Sequence, residues 1–256
     1  MEIVKRRLEK QQFRTIGVDD GHFELCMPAG TPVPVCCVGI RDPGIIEFVK
    51  LGIIRKDMLD VTEVVIRMLL SEEGFLSQCR CIFTNGITFG GFNPLDLEAM
   101  HNALKTPVAS LCDRKPDLSR MEYSLKLRLK SCFEPGSLPD LYNGMEKVRH
   151  AAEGSIPDST PDPTPCHPRR GDSECRGSAG YGETMDRYVE DILSIIKRME
   201  PRPVMTKKGV LYSAFYGLNE EELIAIINAS SHYSLMPECL RVAHLIASAS
   251  SSLLDR

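Results

Sequence analysis

The chain has 256 residues, 43% of them hydrophobic, with a formal net charge of −4 and a sequence pI near 5.9. That content sustains a core in one large domain or two small ones. The acidic balance excludes a global positive field for nucleic acid and leaves only local basic patches for such a partner.

The first residues, MEIVKRRLEKQQFR, are charged where a secretory leader needs an apolar stretch. Ten cysteines, arranged as Cys36-Cys37, Cys79-x-Cys81 and scattered singles, therefore read as buried reduced thiols of a cytoplasmic protein. No run of about 18 apolar residues occurs, so no membrane partner is expected.

RTIGVD (14–19) and VPVCCVGI (33–40) read as the first two strands, and IIEFVKLGII (45–54) as a third, set off by the Pro43-Gly44 turn. In 57–74, Val61, Val64, Val65, Met68 and Leu69 recur at helical spacing, with Asp60 at the N-cap position and Gly74 as a stop. Strand CRCIFT (79–84), a glycine-rich loop, a helix over 95–104, strand PVASLC (107–112) and a helix over about 117–131 follow. The alternation predicts an α/β domain with those strands mostly parallel.

From about 132 the pattern fails. Residues 151–183, crowded with Pro, Ser, Thr and Gly, are expected to form a disordered or flexible insertion in a single domain spanning 1–256. Cys166, His167 and Cys175 within it lack a CxxC pair and read as chance spacing rather than a metal site. A helix over 184–199, strand GVLYSAFYG (209–217), a helix over 219–229 opened by the Asn219/Glu222 capping box, and a last helix from Pro237 to about 253 complete the chain.

The informative polar residues stand at strand ends or helix starts: Asp19, Asp20, Asp60, Asn85, Lys115 and, on the last helix, His244. In an α/β sheet the carboxyl ends of strands meet over one edge, where ligands bind. Carboxylates gathered there call for a divalent cation such as Mg2+, and an Asp, Asp, His set of this kind fits phosphodiester cleavage. Each residue also has a plainer reading: Asp60 as a helix cap, Asp20 as a turn residue, His244 as a satisfied core group.

Five stretches carry a resemblance: RTIGVDDGHF (14–23), LDVTEVVIRML (59–69), NGITFGGFNPLD (85–96), PV (107–108) with RKPD (114–117), and MPECLRVAHLIASA (236–249). In their order and spacing the chain resembles the archaeal endonuclease dU family, which is itself similar to endonuclease V. The resemblance implies a ribonuclease-H-like fold with a central mixed sheet flanked by helices. It also implies an Mg2+- or Mn2+-dependent endonuclease that cuts DNA near a deaminated base, deoxyuridine above all, in DNA repair.

The resemblance further implies that Asp19, Asp60 and His244 are catalytic and metal-binding, with Lys115 stabilising charge on the phosphate. Where endonuclease V has an aspartate-glycine pair this chain has Asn85-Gly86, so a ligand expected to be anionic is a neutral amide. Asp20 and Asp96 are candidates to compensate; Asp20 is favoured, since Asp96 is expected a turn into its helix. Glu238 and Arg241, inside the last motif, are accessory candidates.

In the loop, Gly86, Gly90 and Gly91 permit close backbone approach, Phe89 and Phe92 offer faces for a displaced base or pack the loop onto the sheet, and Asn93 has an amide to read a base edge. Lys115, Arg120, Lys126, Arg128 and Lys130 form either a phosphate-contacting row or a solvated helix face. Asn85 supports a rival, a nucleic-acid-binding protein that keeps the fold and has lost cleavage. RNA is a second substrate class that the sequence leaves open, as it does the oligomeric state.

Overall fold

The apolar runs of the first half of the chain become five strands of one six-stranded sheet. The computed structural model describes residues 13–132 and 178–254. In chain order these form β1 (Arg14–Asp20), β2 (Pro32–Arg41), β3 (Ile45–Arg55), α1 (Val61–Leu70), α2 (Glu73–Leu76), β4 (Cys79–Asn85), β5 (Thr88–Phe89), β6 (Asn93–Pro94), α3 (Leu97–Leu104), β7 (Val108–Leu111) and α4 (Leu118–Cys132). Then come α5 (Ser178–Arg198), β8 (Arg202–Thr206), β9 (Gly209–Ser213), β10 (Phe215–Tyr216), α6 (Glu220–Ser230) and α7 (Glu238–Leu254).

The main sheet runs β10-β7-β4-β1-β2-β3. β1, β4 and β7 are parallel, while β2 and β3 are antiparallel to their neighbours. The strands that alternate with helices were expected to be mostly parallel, and β4 and β7 pair in parallel, with β3 running the same way. β2 alone of these first strands is reversed, and its connections to β1 and β3 are shorter than the crossover of a dozen residues or more that a parallel return needs. This order, with β2 reversed, is the ribonuclease-H-like arrangement, a mixed sheet flanked by helices.

Each face of the sheet is covered. Ile16, Val18, Val35 and Ile82 pack with Val65 and Leu69 of α1, Met100 of α3 and Ile192 of α5. On the other face Cys36, Val38, Cys81 and Phe83 pack with Leu223 of α6 and with Cys239, Leu240, Ala243 and Ala247 of α7. Burial of each large apolar side chain is worth roughly 1.5–3 kcal/mol. The buried cysteines among the described residues are free thiols, as expected.

α7 sits on β1 backbone to backbone. A Cβ at Gly17 would lie 2.3 Å from the carbonyl carbon and oxygen of Cys239, so only glycine allows this approach. The helix that carries His244 is thereby set directly over the strand that carries Asp19.

Several local expectations change. Gly74 lies inside the short α2 instead of stopping α1, which does begin behind Asp60 as expected. The helix expected from 184 begins at Ser178. The run 209–217 is two strands interrupted at Ala214, and β8, which pairs with β9, was not foreseen. The greater part of the expected insertion, with Cys166, His167 and Cys175, lies outside the described residues. Among the described residues no helix is long and apolar enough to cross a membrane.

Candidate active site

Because side chains alternate along a strand, Thr15, Gly17 and Asp19 of β1 point toward the face that α7 covers. Asp19 ends buried at the carboxyl end of β1. Its Oδ2 accepts from His244 Nδ1 at 2.8 Å and from Asn85 Nδ2 at 3.1 Å, and its Oδ1 accepts the backbone N–H of Asp20 at 2.9 Å. Burial pushes the Asp19 carboxyl above its ordinary pKa, while the imidazole of His244 and the Asn85 amide pull the other way. The carboxylate is 1% exposed and His244 is 58% exposed, so the pair opens to solvent only through its imidazole.

Three of the residues named for this edge, Asp19, Asn85 and His244, therefore meet, but not as metal ligands in a row. Asn85 turns its amide nitrogen to Asp19 and holds the carboxylate by a hydrogen bond, where an acid would add a second charge. Asp60, the third expected ligand, is engaged elsewhere: its Oδ1 accepts from Asn93 Nδ2 at 2.6 Å and from Arg55 N at 3.2 Å, and its Oδ2 lies 3.3 Å from Arg55 Nε. It stands at the N-cap position of α1 without capping it through its side chain. Among the described residues no group of three or more His, Cys, Asp or Glu is arranged to hold a metal ion. The side chains present thus do not bring the expected ligand set of Asp19, Asp60, Asn85 and His244 together around one cation.

The glycine-rich loop is held by acids along its length. Asn85 bonds Asp19, the N–H of Gly90 donates to Asp20 Oδ2, the N–H of Phe92 donates to Asp57 Oδ1 at 3.0 Å, and Asn93 bonds Asp60. Gly86, Gly90 and Gly91 all have positive φ, so the turns depend on glycine. Burial drives the Asp20 carboxyl up to about 7, against the lowering effect of the Gly90 N–H and with a raising contribution from Asp19.

The loop residues named as base contacts are mostly turned inward. Phe89 is buried in the core, Phe92 packs against it, and Asn93 is buried with its amide committed to Asp60, Arg55 O and Val61 N. Asp96 is not a turn into α3 but its N-cap, accepting from Glu98 N and Ala99 N, and also pairs with Arg198 at 2.9 Å. Glu238 and Arg241 pair with each other in the first turn of α7.

Lys115 is exposed just beyond β7, on the same sheet edge as the ends of β1 and β4. In the basic row, Lys126 is paired with Glu122, as on a solvated helix face, and the side chains of Arg128 and Lys130 lie outside those described. Sequence reasoning missed Lys56 and Asp57, a fully buried ion pair at 2.9 Å. The signal was the run Arg55-Lys56-Asp57 immediately after a strand; Asp57 takes φ 56° to tuck its carboxylate under the loop.

A ribonuclease-H-like sheet with a carboxylate–imidazole pair on its carboxyl edge defines the class of this protein. The sequence model of the family described as endonuclease dU matches residues 11–135 and 183–251. The chain belongs to the endonuclease dU family, which makes it a member of a nuclease family.

It is similar to a UPF0215 protein of Thermococcus kodakarensis, with 25% identity over 95% of this chain and 94% of that one. It shares its fold with a crystal structure of a protein of unknown function from Archaeoglobus fulgidus, at TM-score 0.60 and 22% identity over 93% of this chain and 98% of that one. A looser likeness, at TM-score 0.46 and 7% identity over 100% and 96%, is to Ciona intestinalis endonuclease V in complex with a DNA containing inosine.

Proposed function

We propose that this chain hydrolyses a phosphodiester bond in nucleic acid beside a deaminated base, with deoxyuridine in DNA as its substrate. The observation that carries the reading is the 2.8 Å bond between the sealed Asp19 carboxylate and Nδ1 of the exposed His244. With its proton on Nδ1, His244 presents the lone pair of Nε2 to solvent.

In the proposed reaction Nε2 takes a proton from the attacking water as its oxygen bonds to phosphorus, Asp19 stabilises the imidazolium that forms, and the P–O bond to the leaving sugar oxygen breaks, that oxygen taking up a proton from solvent. A positioned base of this kind contributes about 10²–10⁴-fold. Asn85 fixes the carboxylate so that the imidazole keeps its direction, and Lys115 supplies positive charge for the phosphate on the same edge. A requirement for Mg2+ or Mn2+ remains part of the proposal as a condition to assay, and no step above depends on it.

The test is a nicking assay on duplexes carrying one deoxyuridine, one hypoxanthine or no damage, each with Mg2+, with Mn2+ and with chelator, alongside the matching RNA strands. Product from the deoxyuridine duplex, lost in Asp19→Asn and in His244→Ala, is the expected result. Binding to every strand without product would overturn it in favour of a non-cleaving nucleic-acid-binding protein, the second reading, which the neutral Asn85 beside Asp19 favours. Asn85→Asp then asks whether a second carboxylate brings a cation-dependent product.

A further inference from the structure

The connection from α6 to α7, residues 231–237, is tied down along its length. Ser231 Oγ donates to Leu235 O at 3.2 Å, Ser234 Oγ donates to Met236 O at 3.0 Å, His232 Nε2 lies 2.9 Å from Asp42 Oδ1, and Lys208 Nζ donates to His232 O at 2.7 Å. Leu235 and Met236 pack against the core beneath. Tyr233, in the middle of this fixed loop, is nonetheless 84% exposed, more than any other large apolar side chain among the described residues. Its ring stands edge to face beside that of His232, with centroids 6.4 Å apart. A ring held by an ordered loop and open to solvent is suited to stacking a flat partner, because the loop has already lost the entropy that binding would otherwise cost.

The charges around the ring are sorted by sign. Lys207 and Lys208, in the turn between β8 and β9, are exposed, and neither meets a carboxylate among the described residues. Lys207 N donates to Asn228 Oδ1 at 2.8 Å, which fixes that turn to α6. The acids nearby are turned inward: Asp42 is 4% exposed and bound to His232, and Glu238 is 8% exposed and bound to Arg241. The exposed acids Glu220, Glu221 and Glu222 stand in the first turn of α6, at its far end from this loop. A chain of net charge −4 thus shows solvent a cationic rim beside an aromatic face. Unpaired nucleic acid is held by that combination, its bases stacking on the ring and its phosphates meeting the cations.

Asp42 N donates to Phe13 O, so the Asp42–His232 pair lies level with a residue six positions before Asp19, about 20 Å away at about 3.3 Å per residue. α7 bridges the interval, with Arg241 in its first turn and His244 one turn further on the same face. The Arg241 guanidinium is pushed above its ordinary pKa chiefly by its bond to Glu238 and in small part by the Tyr233 phenol, which stands at its side. We infer that Tyr233, Lys207 and Lys208 form a binding site for an unpaired stretch of the nucleic-acid strand, in which a base stacks on Tyr233 and the two ammonium groups meet the flanking phosphates. The inference rests on the reading of the chain as a nuclease and extends it: at about 3.4 Å per nucleotide the stacked base is about six nucleotides from the bond cut beside His244. The site selects strands with an unpaired flank, because a base inside a duplex has no free face to stack.

Fluorescence anisotropy tests this on the full chain in chelator, with labelled oligonucleotides of about 12 nucleotides: a single strand, the duplex of the same sequence and an abasic single strand. Circular dichroism confirms that each variant is folded. Tyr233→Ala is expected to weaken binding of the single strand by about 5–150-fold, the loss of one stacked base, while Tyr233→Phe binds as wild type does. Binding of the duplex and of the abasic strand is expected to be the same for wild type and Tyr233→Ala. Lys207→Gln with Lys208→Gln is expected to lower the slope of log affinity against log salt by about 1.4. A wild-type chain that binds no single strand, a Tyr233→Ala chain that binds it as tightly as wild type, or an abasic strand equally sensitive to that change would each overturn the inference. A chain that nicks no duplex yet holds the single strand through Tyr233 overturns the cleavage reading and supports this site; nicking with binding indifferent to Tyr233→Ala overturns the site alone.

Discussion

Two acid–base pairs flank the same glycine-rich loop and are built in opposite ways. Lys56 and Asp57 are each 0% exposed and lie 2.9 Å apart; Lys56 Nζ also donates to Met27 O at 2.8 Å, and Asp57 accepts the Phe92 N–H. In the Asp19–His244 pair the acid is sealed and the base is open. Closing both ends of a pair yields a structural tie, since neither group can meet a solute. Closing only the acid leaves a buried carboxylate that orients a ring whose other nitrogen is open to solvent, the arrangement on which the proposed reaction rests.

The sharpest way to break this comparison is to disable the open pair. Asp19→Asn or His244→Ala is expected to lower nicking of a deoxyuridine duplex by about 10²–10⁴-fold while moving the melting temperature only slightly, as measured by gel assay and thermal denaturation. Equal losses of activity and stability would make the open pair structural too. The mirror experiment is Lys56→Met, which leaves Asp57 as a buried charge without its ammonium. That change is expected to destabilise the fold by about 3–5 kcal/mol in urea titration, with Asp57→Asn in the same chain recovering part of the loss.

Gly91→Ala sharpens the link between loop and closed pair. Its Cβ would stand 2.3 Å from Asp57 Oδ1 at a backbone φ of +93°, so a stability loss of about 1–3 kcal/mol is expected. An alanine tolerated without loss would show that the loop is free of the Asp57 carboxylate.

The smallest effect concerns Asp20. Its folded-state value of about 7 stands above the ordinary 3.8, so between these values the fold holds a proton that the unfolded chain releases. Stability from this group is therefore full below pH 4, falls as pH rises toward 7 and is level beyond it. Thermal scans at pH 5 and pH 8 should show wild type losing a few degrees more than Asp20→Asn. An equal pH dependence in the two proteins would show that Asp20 titrates normally.

How much of this was legible in the residues depends on the range over which each signal acts. The apolar runs that became β1, β2, β3, β4 and β7 were readable, as was the Asn219 capping box, which the structure forms in full. These signals are local. Strand direction was readable where the connection showed it, parallel for β4 and β7 across a helix and antiparallel for β2 and β3 across the Pro43-Gly44 turn. For β1 and β2 it was not, because a period of two is the same in parallel and antiparallel pairs. β8 escaped because Pro201 and Pro203 bracket Arg202 and mask a short strand that β9 nonetheless pairs.

At the site, the chemistry of single residues was readable and their partners were not. Asp19 and His244 were named together and do meet, 225 positions apart in sequence. Asp60 was named with them, but Asn93 and Arg55 claim it, a competition that only the folded loop creates. Asp96 was placed one turn too deep, since helix boundaries shift by a residue or two when a cap forms.

The contact between Gly17 and Cys239 has a consequence for how this family can vary. With zero clearance between strand and helix, residue 17 acts as a spacer gauge of minimum thickness. Even a methyl group there would jack α7 away from β1 and lengthen the reach of His244, loosening its bond to Asp19 without altering either residue.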